Sequence, residues 1–238
     1  MIEIFRGAWL LLRRNPVIIL PSIVIGAITA GGAYVLDASG FSSWAFFQNL
    51  DASGTGAFWM FFDTIIAVGL RIFAALVAIA FTVGMAGAAW RSGKATLADG
   101  FSALRRDGVQ AFVALVILFL IGMAAAALVV PTFGLSMLLY MTFMLYTMPA
   151  VVVGDRAATD AVIESIQLAA RNLGVTFAVV ILVIALAIAG GAIGDALGRV
   201  PMLGEIVGWI IMEAVVAYAM LLIVGEYCKL APPANQAQ

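Results

Sequence analysis

Histidine is absent from this chain of 238 residues. No imidazole is available as a general base, a proton shuttle or a ligand to haem, chlorin, zinc or copper, which excludes much of the commonest catalytic and metal-centre chemistry. Cysteine is nearly absent. Cys228 stands alone, so the chain can form neither an internal disulfide nor a thiolate cluster. Charge is scarce too: Asp, Glu, Lys and Arg make up 11% of the residues, and the net charge of −1 offers no basic surface for nucleic acid. No Walker loop, dinucleotide fingerprint or nucleophile elbow occurs. The expectation is a protein that is not an enzyme and holds no cofactor or metal.

What the chain has is apolar length. Hydrophobic residues are 65% of it, and they gather in six runs: Val17–Leu36, Ile72–Trp90, Val109–Val130, Leu135–Val153, Leu173–Gly194 and Ile206–Val224. A bilayer core of about 30 Å takes about 20 helical residues at about 1.5 Å each, the length of every run. Period-2 alternation is missing, so strands are not expected, and helices meet their own backbone hydrogen bonds in lipid. The runs therefore predict an all-α polytopic membrane bundle of six transmembrane helices, one integral domain over residues 1–230 with a short polar tail at 231–238.

The basic residues are one-sided. Counting loops alternately from the N-terminus places Arg6, Arg13, Arg14, Arg91, Lys94, Arg105, Arg106, Arg156, Arg171 and Lys229 on one side. Arg199 alone falls on the other, and Arg71 lies at the edge of a span. By the positive-inside rule both termini are expected in the cytoplasm. The first run is about 20 residues long, lacks a cleavage-site context, and is expected to stay as the first helix.

The segments before the odd-numbered spans are amphipathic. Residues Ile2–Arg14 align Ile2, Phe5, Trp9 and Leu12. Thr96–Arg106 opens with Thr96 and Asp99 at the spacing of a capping box. Asp155–Arg171 carries Val162, Ile166 and Ala169 on one side and charged or amide groups on the other. The three end alike, in Arg14-Asn15-Pro16, Arg106-Asp107-Gly108 and Arg171-Asn172-Leu173-Gly174. The expected unit is an interfacial helix, a corner capped by Asn or Asp, and a transmembrane hairpin, repeated three times, with Arg14, Arg106 and Arg171 as anchors at headgroup level.

The stretch from Met148-Pro149 to Gly154-Asp155, continuing through Ala161, Ser165 and Arg171-Asn172, resembles the membrane domain that accompanies some glycerophosphodiester phosphodiesterases and occurs alone in uncharacterised bacterial proteins. The opening Phe5, Ala8, Trp9 and Arg14-Asn15-Pro16 is similar as well. The resemblance implies a six-helix domain without catalytic residues. The phosphodiesterase barrel is missing, so that activity does not carry over. The expected address is a bacterial inner (cytoplasmic) membrane.

Glu213 is the one acid inside a run. A carboxylate at that depth needs a partner, water or a proton. Arg71 is the expected partner, either as a structural lock or as part of a cation-coupled site. Gly190, Gly194 and Gly198 recur every fourth residue, as do Gly204 and Gly208, which predicts close packing of the last two helices. The loop 37–70 is dense in Phe and Trp and suits an outer interface. The function expected is that of an accessory or scaffold subunit. It would meet the lipid bilayer and other membrane subunits through that loop or its lipid-facing helices. The alternative is a small transporter or lipid-handling protein centred on Glu213.

Overall fold

The computed structural model describes residues 2–25, 27, 77–198 and 203–231, with backbone alone at 198 and 203–205. Arg71, the loop 37–70, residues 28–36 and 72–76 of the first two expected spans, and 232–238 of the tail lie outside the described residues. So do the surroundings of Gly198 and Gly204.

The described residues form helices and no strand. They are α1 (Ile2–Arg14), α2 (Leu97–Ala127), α3 (Leu135–Met144), α4 (Thr147–Val152), α5 (Ala158–Arg171), α6 (Leu173–Gly198) and α7 (Leu203–Leu230). A 3-10 turn, Pro16–Ile19, leads into helical residues 20–25, and a further helical stretch covers 77–92. Four described helices are long and apolar enough to cross a membrane: Leu97–Ala127, Leu135–Val152, Leu173–Leu197 and Ile206–Leu230. The pair Ile2–Arg14 and Pro16–Ile25 passes the same test only when joined, and it bends by 92°. Apolar helices of this length mark a membrane protein.

The bend at residue 15 follows from two side chains. Pro16 has no N–H and cannot continue α1. Asn15, buried at 7% exposure, closes the old helix instead of capping a new one. Its Nδ2 donates to Leu11 O at 3.0 Å and to Gly93 O at 3.2 Å, and its Oδ1 accepts from Ala95 N at 3.0 Å. Asn172 repeats the local half of this device, donating from Nδ2 to Leu168 O at 3.0 Å at the end of α5.

The corner expected at Asp107–Gly108 does not form. Helix α2 runs unbroken for 31 residues from a complete Thr96–Asp99 capping box. Asp107 is free of capping duty because Arg106 holds it, Nη2 to Oδ2 at 2.8 Å. A single Gly108 inside a helix costs only about 1 kcal/mol. The second of the three expected lead-in helices is thus the first turns of a spanning helix, about 46 Å long in all.

On helix α1, Ile4, Ala8 and Leu12 are buried against the bundle, while Ile2, Phe5 and Trp9 of the expected stripe stay exposed. Phe5 and Trp9 each make a T-shaped contact with Tyr218 on α7, at centroid distances of 5.6 and 6.2 Å, and the Tyr218 hydroxyl donates to Phe5 O at 3.1 Å. The stretch 77–92 is pinned to α7 by Trp90, whose indole N–H donates to Leu221 O at 2.8 Å.

Helices α6 and α7 approach to backbone contact. A Cβ placed on Gly208 would lie 3.0 Å from both Cα and O of Gly194. Gly208→Leu is expected to lower stability by about 1–3 kcal/mol through overpacking, read as heat denaturation in detergent micelles. Gly191→Leu is the control and should be near neutral, since a Cβ there meets nothing within 4 Å.

Candidate polar site at the basic end of the bundle

Helix α3 ends at Met144 and α4 starts at Thr147 because Pro149 cannot donate to Leu145 O and its ring crowds that carbonyl. The break leaves polar backbone in the interior, and Ser165 of α5 repairs it. Its fully buried hydroxyl accepts from Tyr146 N at 3.0 Å and donates to Phe143 O at 2.7 Å.

The repaired break anchors a layer of polar side chains. Tyr146, fully buried, shares a hydrogen bond of 3.2 Å with Thr176 Oγ1 on α6. Its ring faces that of Tyr227 on α7 at 6.4 Å. Tyr227 donates to Glu164 Oε1 at 3.0 Å, and Arg156 Nε donates to Glu164 Oε2 at 2.8 Å. Helix α4 is closed by Gly154 N and Arg156 N, which donate to the carbonyls of Pro149 and Ala150 at 3.1 Å each. Gln110 of α2 caps α5 from outside, accepting from Ala158 N at 3.0 Å. Arg106 adds a bond from Nη2 to Val152 O at 3.0 Å. The layer thus ties α2, α4, α5, α6 and α7 together at the end that carries the basic residues.

Sequence reasoning missed Glu226 in this layer. It stands two residues beyond the end of the last expected run, but α7 continues to Leu230 and Glu226 is only 1% exposed. Its Oε2 meets no hydrogen-bond partner among the described residues. The signal was available: Val224-Gly225-Glu226-Tyr227 continues the apolar pattern of the span on both sides of the acid.

The residues singled out from sequence do not converge. Glu213 lies half-buried on α7, with the side chain of Trp209 one turn earlier as its interacting neighbour. Gly190, Gly194 and Gly208 lie along the α6–α7 contact, Gly190 against Met212 and Val215. Arg14 and Arg171 are exposed at the ends of α1 and α5, and Arg106 bonds as described above. Ser136, Thr142 and Tyr146, polar groups of the fourth expected span, are bonded to groups other than Glu213. Ser136 donates to Ala125 O at 2.8 Å and Thr142 to Leu138 O at 2.8 Å. Among the described residues no group of three or more Cys, Asp or Glu side chains is arranged to hold a metal ion.

No protein-family model matches the chain, and neither a curated protein nor a solved structure does.

Proposed function

We propose that the chain is a non-enzymatic, six-span protein of a bacterial inner membrane that serves as an accessory or scaffold subunit of a larger membrane assembly. Its three hairpins place both termini and the basic, hydrogen-bonded layer in or near the cytoplasm. The observation that carries this reading is where the polar groups go. Among the described residues, Ser136, Thr142, Tyr146, Ser165 and Thr176 are spent on locks between and within helices, and Glu226, Thr82 and Thr147 alone keep a buried oxygen without a hydrogen-bond partner. Meanwhile α2 leaves Phe112, Val116, Phe119, Leu120 and Met123 exposed along one helix, an apolar face available to a neighbour in the membrane. The reading agrees with what the resemblance to the phosphodiesterase-associated membrane domain implies, six helices without catalytic residues. Glu213 then acts as a local lock with Trp209 rather than as a transport site.

Gentle extraction from native membranes, with affinity capture on the chain, tests this. A membrane protein retained in fixed proportion is the expected result, and it should be lost when Phe119 and Met123 are both changed to Ser. A monodisperse lone protomer from native membranes contradicts the scaffold reading.

A further inference from the structure

Glu226 heads a groove. It lines an apolar pocket of about 200 Å³ together with Ile4 and Phe5 of α1, Val179 and Leu182 of α6, and Leu222 of α7. A second pocket of about 500 Å³, which shares Phe5 with the first, lies along the same helices and is lined by Trp9, Leu186, Tyr218, Val215 and Ile211. The walls follow helical periodicity. Val179, Leu182 and Leu186 succeed one another along α6, and Leu222, Tyr218, Val215 and Ile211 along α7, at steps of three or four residues. From Glu226 to Ile211 is fifteen residues, about 22 Å of helix.

One end of this groove is polar and the other is not. Glu226 is buried, lines the first pocket, and has an oxygen without a partner among the described residues. A buried carboxylate in that state lacks the hydrogen bonds it gave up on leaving water. Lys229, three residues on, is exposed one turn nearer the helix end. The two pockets together offer an unpartnered carboxylate at one end and apolar walls about as long as one acyl chain, with Lys229 exposed one turn beyond the carboxylate.

We propose that this groove is a binding site for a phospholipid with a primary-amine headgroup, of the phosphatidylethanolamine type. The ammonium donates to Glu226, the phosphate meets Lys229, and one acyl chain lies along α6 and α7 beneath Phe5 and Trp9. A trimethylated choline head has no N–H to donate and leaves Glu226 unsatisfied. An anionic glycerol head brings no cation. The site stands independently of the scaffold reading, because it is read on the isolated protomer.

The test is lipid retention by the purified full-length chain in detergent, measured by native mass spectrometry after titration with dioleoyl lipids bearing ethanolamine, choline or glycerol heads. One ethanolamine lipid should bind at least fivefold more tightly than either competitor. Glu226→Gln should erase that preference while leaving the total acyl-dependent binding within about twofold. Leu182→Trp, which fills the pocket and keeps the carboxylate in the chain, should lower binding of all three lipids at least tenfold. If Glu226→Gln does not fold, the headgroup preference of the unaltered chain and the Leu182→Trp result decide the matter. Equal retention of the three lipids, or a preference unchanged in Glu226→Gln, overturns the proposal.

Discussion

Asn15→Ala is expected to destabilise the protein by about 3 kcal/mol. Asn15 is a buried three-way junction, holding Leu11 O, Gly93 O and Ala95 N. Truncation leaves Gly93 O and the buried N–H of Ala95 without their partner, and each such orphan costs about 1–3 kcal/mol. Leu11 O loses less, because the backbone N–H of residue 15 still donates to it at 2.9 Å. Heat denaturation in micelles should show the loss. Hydrogen exchange should place it, with the Ala95 amide exchanging much faster. Asn15→Asp is expected to fall between, since it keeps the acceptor for Ala95 and forfeits both donors. An Asn15→Ala protein as stable as the parent would mean that the 92° bend is held by Pro16 alone.

Ser165→Ala is the second large effect. The hydroxyl is fully buried and serves two backbone groups at the break between α3 and α4. Removing it strands Tyr146 N–H and Phe143 C=O, for an expected loss of about 2–4 kcal/mol. The cause of the break gives a sharper test. Pro149→Ala restores an N–H to the chain and lets α3 run into α4, so the need for Ser165 shrinks. The double variant should be less destabilised than the sum of the two single ones, by about 1 kcal/mol or more. Strict additivity would show that Ser165 and Pro149 do not act on the same break.

Much of this was legible in the sequence, and the failures have physical reasons. Apolar run length gave the helices from Leu135, Leu173 and Ile206 closely, because lipid leaves helix as the only economical use of such runs. The capping box at Thr96 was legible from its spacing, and the turn at 131–134 ends on Gly134, which takes a left-handed conformation at φ 84. The corner at Asp107 was misread because its composition matches the other two. What separates it is a side chain: Asp107 is held by its neighbour Arg106, whereas Asn15 and Asn172 bond back to the carbonyl four residues before. Sequence spacing cannot tell a cap from a neighbour pair. The role of Ser165 was hidden for another reason. Its partners, Phe143 and Tyr146, are backbone groups about twenty residues away, exposed to bonding only because Pro149 breaks the helix.

Glu226 was passed over because the run, carried through Glu213, was closed at Val224, two residues short of it. Helix α7 continues to Leu230 and buries Glu226 beside the polar layer. Glu213, by contrast, drew notice by standing alone in its run, and it lies half-buried beside Trp209 of its own helix. Burial and unmet hydrogen bonds, rather than isolation in sequence, separate the two acids.

The most direct test is of the threading on which the proposed function rests: the polar layer and basic residues on the cytoplasmic side, the 131–134 turn on the other. Cys228 is the sole cysteine and is exposed, and Phe133 at the tip of the turn is 99% exposed. A membrane-impermeant maleimide applied to right-side-out and to inverted membrane vesicles distinguishes the sides. The parent chain should be labelled at Cys228 only in inverted vesicles. Phe133→Cys in a Cys228→Ser background should be labelled only in right-side-out ones. Labelling of both positions from the same face would contradict the threading, and with it the assignment of the hydrogen-bonded layer to the cytoplasm.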